Sequence, residues 1–189
     1  EVKSDCSPNK VGEEALLLKQ KHPNCIVVID EERKNGIERI LKDYTEIDVI
    51  LMDDGFQHRR VNAGLNILLT TLKSPYYKDY LLPMGTLRES KRNAKRAEII
   101  VVSKSPKEIN ETEKKKIIQQ LNLNAIQYCF FSEIQYGNWR CLSVKEELNP
   151  VEKYNIILVT AIADATPLAE QLKENGHSIT HLEYRDHHH

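Results

Sequence analysis

The densest run of reactive side chains is Asp53-Asp54-Gly55-Phe56-Gln57-His58-Arg59-Arg60, directly after the apolar Val49-Ile50-Leu51-Met52. An apolar strand ending in one or two Asp is the Walker B arrangement. A carboxylate held at a strand end can ligate Mg²⁺ directly or through water. By itself the pattern is weak, because many strands end in an Asp that only caps the next helix. Two acids, a Gly turn, then Gln, His and two Arg in one loop are poorly explained by packing alone.

Leu82-Pro83-Met84-Gly85-Thr86-Leu87-Arg88-Glu89 is a second candidate. Pro and Gly set a turn that displays Arg88 and Glu89. The plainer alternative is a turn before a helix, with Glu89 favouring the helix dipole. Arg88 is followed by Lys91, Arg92, Lys95 and Arg96, a basic cluster suited either to phosphates or to water. Val11-Gly12-Glu13-Glu14 opens a helical stretch, where two acids are ordinary dipole partners. Near the end, Thr160-Ala-Ile-Ala-Asp164 and Asp186-His187-His188 each follow a strand-like run. An Asp-His pair there can act in acid-base chemistry, since histidine titrates near neutrality. The closing His187 to His189 also reads as a tag remnant.

These residues need a scaffold. Short apolar runs at 25–29, 48–52, 66–70, 98–103, 155–160 and 178–184 predict strands. Helical patterns lie between them at 31–44, 111–121 and 166–175, the last ended by Gly176. Continuous β-branched strands separated by helices predict an α/β fold with a mostly parallel sheet covered on both faces. In such a sheet, ligands bind beyond the carboxyl ends of the strands, where the candidate loops lie. Around 125–142, alternating aromatic and polar residues suggest antiparallel strands. The expected division is 1–122 as a nucleotide-binding core, 123–150 as a β-rich connector and 151–189 as the start of a smaller α/β lobe.

The 189 residues carry 40% hydrophobic and 29% charged side chains, an ordinary balance for a folded chain. A net charge of -1 provides no global field toward nucleic acid. Cys6, Cys25, Cys129 and Cys141 form no CxxC and read as reduced thiols rather than a disulfide frame or zinc site. No stretch reaches the roughly 18 apolar residues of a membrane-spanning helix.

Taken together, the motifs resemble the tetraacyldisaccharide 4'-kinase family. Residues 53–60 match D-D-G-[FL]-Q-H-[RY]-R, and 82–89 match L-P-x-G-x-[LM]-R-E. Val11 to Glu14 resembles the segment around G-D-E-P, and Ile29 to Gly36 resembles a strand followed by D-R-x-x-G, with Arg33 and Gly36 in register. Ala161 to Ala165 resembles G-I-A-N-P, and Tyr184 to His188 resembles F-P-D-H-[HY], a register that favours native sequence at His187. The resemblance implies a P-loop-kinase-like α/β core with a second, smaller lobe. It implies transfer of the ATP γ-phosphate to the 4'-hydroxyl of tetraacyldisaccharide 1-phosphate in lipid A biosynthesis. It places the protein in the cytoplasm, peripheral to the inner membrane of a Gram-negative bacterium, with the membrane met through segments outside this chain. By position, Asp53, Asp54 and Glu89 serve the Mg²⁺ region. Arg88, His58, Gln57 and Arg33 form the ATP-binding set, and Glu13, His187 and Asp54 the catalytic one.

The chain departs from the pattern at three positions. Glu13 stands where the family has the Asp of G-D-E-P, Ala15 replaces its Pro, and Ala161 replaces the first Gly of G-I-A-N-P. No G-x-x-x-x-G-K-[ST] occurs, so the 189 residues are expected to be a fragment without the P-loop and inactive alone. Two rival readings are a metal-dependent phosphate-ester hydrolase using Asp53, Asp54 and His58, and a non-catalytic nucleotide- or lipid-binding module.

Overall fold

The computed structural model describes residues 1–137, 139 and 152–185. The chain divides into two compact units, Glu1–Ile134 and a second beginning at Gln135.

In the first unit, α1 (Pro8–Val11) and α2 (Glu13–Lys21) precede α3 (Arg33–Asp43). Strands β1 (Ile67–Thr71), β2 (Ile99–Ser103) and β3 (Tyr128–Phe131) form a three-stranded sheet in that order, parallel throughout. Ile67 pairs with Ile99, and Ile99 with Tyr128. At the head of β1, the Glu98 carboxylate accepts the Asn66 backbone N–H at 2.7 Å, which holds it below the usual carboxylate range. Helix α4 (Glu111–Leu121) starts on Asn110, whose side chain accepts from the Glu113 N–H at 2.9 Å. It stops at Asn122 in the left-handed region (φ 49°).

Alternation along the strands decides where the core sits. Ile100 and Val102 point to one face, where they are fully buried and cluster with buried Ala97 and Leu121. Phe56, Leu68, Tyr76, Ile117 and Phe131 pack around them. The opposite face leaves Ile67, Leu69, Tyr128 and Phe130 exposed.

Three expectations change. First, helices were expected on both faces, but among the described residues only one face is covered. Second, β3 is parallel to β2, not antiparallel: its aromatic-polar alternation comes from having one covered and one bare face, which does not report strand direction. Third, neither 25–29 nor 48–52 forms a ladder. The Val2 N–H donates to Val27 O at 2.8 Å, but no strand pairs with either segment among the described residues, and Leu51 is 90% exposed. An apolar run becomes a strand only with a partner backbone.

The second unit is a β-α-β element, with β4 (Asn155–Thr160), α5 (Thr166–Glu174) and β5 (Ser178–Glu183). The strands pair in parallel from Asn155↔Ser178 to Thr160↔Glu183. Gly176, at φ 87°, makes the turn after α5 that few L-residues would adopt. His177 is buried against Trp139 and Tyr154, and its Nδ1 accepts the Tyr154 N–H at 3.2 Å. No helix among the described residues is long and apolar enough to cross a membrane.

Candidate functional site

The loop 53–60 is a chain of tight turns. Asp54 sits at φ 48°, a left-handed position that Asp tolerates better than most residues. The Asp53 carboxylate accepts the Asp54 N–H at 2.9 Å. Gly55 lies close against the Met52 side chain, which would have to shift for an added Cβ, 2.8 Å from its Cγ. The chain then turns through Gln57 and His58, with the His58 N–H donating to Gly55 O at 2.9 Å.

The loop 79–89 is built around Asp79. Its carboxylate accepts the Thr86 N–H at 3.2 Å, the Thr86 hydroxyl, and the Tyr80 N–H at 2.7 Å. The Thr86 hydroxyl, followed by the two backbone donors, holds the Asp79 carboxyl below its ordinary range. Leu82 N–H to Leu87 O and Leu87 N–H to Tyr80 O, both 3.0 Å, close the turn. A Cβ on Gly85 would fall 2.3 Å from Tyr80 O, so only glycine fits.

Residues distant in sequence meet here. The Arg88 guanidinium lies 3.7 Å from the Asp54 carboxylate, and both side chains are largely exposed. Arg60 donates to Glu32 at 2.9 Å, tying the first loop to the segment that enters α3. Arg33, the first residue of α3, donates to Asp30 O, and Gly36 leaves room for the Asp30 side chain. Both Glu89 oxygens are engaged: Arg96 Nη2 lies 2.9 Å from each, and Asn93 Nδ2 lies 2.8 Å from Oε2. Three of the matched segments, at 29–36, 53–60 and 82–89, are thereby joined by side-chain contacts.

Other expected residues do not join them. Glu13 opens α2, and its side chain makes no hydrogen bond or ion pair among the described residues. Gln57 and His58 lie in the loop without side-chain partners of their own among those residues. His187, with Asp186 and His188, lies outside the described residues, as does Cys141. Cys6, Cys25 and Cys129 are free thiols. Sequence reasoning missed Glu32 and Asp79, which shape the loops through hydrogen bonds. It also counted Arg96 as a cluster member when Arg96 spans both loops. The spacing of Arg96 from Glu89 carried no signal, because the 3₁₀ turn of 91–96 that sets their approach is not written in a helical period.

Chemically, the site offers two adjacent carboxylates beside a guanidinium, hard oxygens for a cation and a planar donor for phosphate oxygens. No group of three or more metal-ligating side chains assembles among the described residues. A Mg²⁺ ion is compatible with that, since it keeps several waters and takes one or two carboxylates plus phosphate oxygens.

The profile of the family described as Tetraacyldisaccharide-1-P 4'-kinase matches residues 1–189. The chain belongs to this family. A tetraacyldisaccharide 4'-kinase of Bacteroides thetaiotaomicron is 38% identical over 191 residues, covering 95% of this chain and 50% of the relative. Tetraacyldisaccharide 4'-kinases of Flavobacterium johnsoniae and Flavobacterium psychrophilum are 38% and 39% identical, each over 95% of this chain and 52% of theirs. The chain thus spans about half the length of the curated relatives it matches. No solved structure matches it.

Proposed function

We propose that the complete gene product carrying this chain transfers the γ-phosphate of ATP to the 4'-hydroxyl of tetraacyldisaccharide 1-phosphate, on a P-loop-kinase-like core. One observation supports this most. Asp54 and Arg88, from the family's two most specific motifs, stand side by side at 3.7 Å although far apart in sequence.

In this reading Asp53 and Asp54 would hold a Mg²⁺ ion, which would supply charge neutralisation to the bound triphosphate. Glu89 supports that region through its pairing with Arg96. The Arg88 guanidinium takes phosphate oxygens, with His58, Gln57 and Arg33 around the nucleotide. An imidazole nitrogen of His187 accepts the proton of the 4'-hydroxyl, Glu13 is the carboxylate of the catalytic set, and the freed oxygen attacks the γ-phosphorus as ADP departs. Because the acceptor is a lipid and ATP is cytoplasmic, the working place is the cytoplasmic face of the inner membrane, and the protein should leave membranes in a high-salt wash.

The deciding experiment assays ATP-dependent phosphorylation of tetraacyldisaccharide 1-phosphate by the complete gene product beside Asp54→Ala and His187→Ala. Both variants are expected to lose at least about a hundredfold in kcat/KM. No transfer by the unmodified protein, where a known family member works, would make it a diverged binding module or a phosphate-ester hydrolase.

A further inference from the structure

We propose that Arg96 is a positioning residue that clamps the Asp53–Arg60 loop to the Leu82–Glu89 loop and fixes where the candidate carboxylates stand. The inference rests on the function proposed above for its catalytic consequence, but the clamp itself is read from contacts.

Arg96 uses the face and both terminal nitrogens of its guanidinium. Its Cζ lies 4.2 Å from the centre of the Phe56 ring, and Nη1 donates to Phe56 O at 3.0 Å. Nη2 sits 2.9 Å from both Glu89 oxygens. One side chain therefore grips the ring and carbonyl of the first loop and the carboxylate of the second. The ion pair is mostly sheltered, with side chains 32% and 24% exposed, unlike the open Arg88–Asp54 pair. Asn93 steadies Glu89 from the same turn at 2.8 Å.

The platform beneath the clamp is anchored to the sheet. Ala94 and Ala97, on either side of Arg96, are buried. The Gln127 amide donates to both of their carbonyls, at 2.9 and 2.7 Å, which ties the turn to the entry of β3. Phe56 packs on the core that contains Ile100 and Val102. The sheet thus transmits its position through Arg96 to both loops. Arg96 is also a poor candidate for direct phosphate contact: both terminal nitrogens are engaged, and Nε, which has no hydrogen-bond partner among the described residues, is buried away from any solution ligand. Its neighbours Arg92 and Lys95 are exposed. Lysine could not replace it, because a single ammonium cannot stack, reach a carbonyl and fork onto a carboxylate together.

The test uses the complete gene product with Arg96→Lys, Arg96→Met and, as a destabilised control, Val102→Ala in the core. Amide hydrogen exchange should speed up about tenfold across 54–60 and 82–90 in both Arg96 variants, and not selectively there in the control. In the phosphorylation assay both Arg96 variants should lose about thirtyfold in kcat, with KM for ATP and acceptor held within about threefold, while the control keeps its kcat. Unchanged loop exchange overturns the clamp. Faster exchange with unchanged kcat overturns the positioning role, and full rescue by lysine overturns the geometric argument. A selective rise in KM for ATP would make Arg96 a direct ligand, which also overturns it. If the unmodified protein transfers no phosphate, the functional reading falls and the exchange data alone decide the clamp.

Discussion

At the scale of single residues, Glu13 offers a sharp test of the proposed chemistry. Its carboxylate reaches one methylene further than the family's Asp, and phosphoryl transfer depends mainly on positioning. If the Glu13 carboxylate takes part in the reaction, Glu13→Asp should keep at least the unmodified kcat. Glu13→Gln should lose about 10² to 10⁴-fold, read by steady-state assay of the complete gene product. Gly85 tests geometry instead of charge. Gly85→Ala pushes a Cβ into the Tyr80 backbone, so the 79–89 turn must open, and activity should fall with little change in the core. Asp79 sets the turn's response to pH. Its carboxyl is depressed in the folded state by Thr86 and Tyr80, so its contribution is present at neutral pH. That contribution starts to be lost only below about pH 4, the unfolded carboxylate range, and is gone once pH passes the lower folded value. The Thr86 amide chemical shift followed by NMR titration should therefore stay constant through neutrality and move only in acid.

At the scale of elements, β2 is the centre of the first unit. Ile100→Ala should cost about 2–5 kcal/mol of that unit's stability, measured as a shift in urea midpoint. The thiol of Cys129, on β3, is pushed up by burial, whereas Cys25 is exposed. Cys25 should therefore alkylate before Cys129 at pH 8, which peptide mass mapping would show. Most elements were legible in the sequence. Strands β1, β2, β4 and β5 and helices α4 and α5 lie where periodicity and caps put them, because those signals are local. The runs at 25–29 and 48–52 read equally well as strands yet form no ladder. Pairing is a property of two segments, and no single stretch encodes it. The site divides in the same way. The carboxylate and arginine motifs were visible as residues, whereas Glu32, Asp79 and Arg96 act through contacts that cross the sequence.

At the scale of the molecule, the match to family members over about half their length frames what this chain can do. The 189 residues hold the carboxylate loop and the Arg88 turn but no G-x-x-x-x-G-K-[ST]. Without that cradle of backbone amides and its lysine, the polypeptide by itself should bind Mg²⁺-ATP weakly and show no measurable turnover. Calorimetric titration and phosphate transfer, run beside the complete gene product, check this. Robust transfer by the 189 residues would show that phosphate binding needs no P-loop here.

Ionic strength should act unevenly on the three arginine contacts that hold the 53–60 loop. The Arg60–Glu32 and Arg88–Asp54 pairs stand in water, and such pairs contribute only about 0–1 kcal/mol each. With the Debye length shrinking from about 10 Å at 0.1 M salt to about 3 Å at 1 M, both should fade together. The Arg96 contacts, sheltered and stacked on Phe56, should persist. Concentrated salt should therefore free the loop's two ends while its middle stays docked. The backbone would then swing about Phe56 as a fulcrum, moving Asp53 and Asp54 while the sheet stays still.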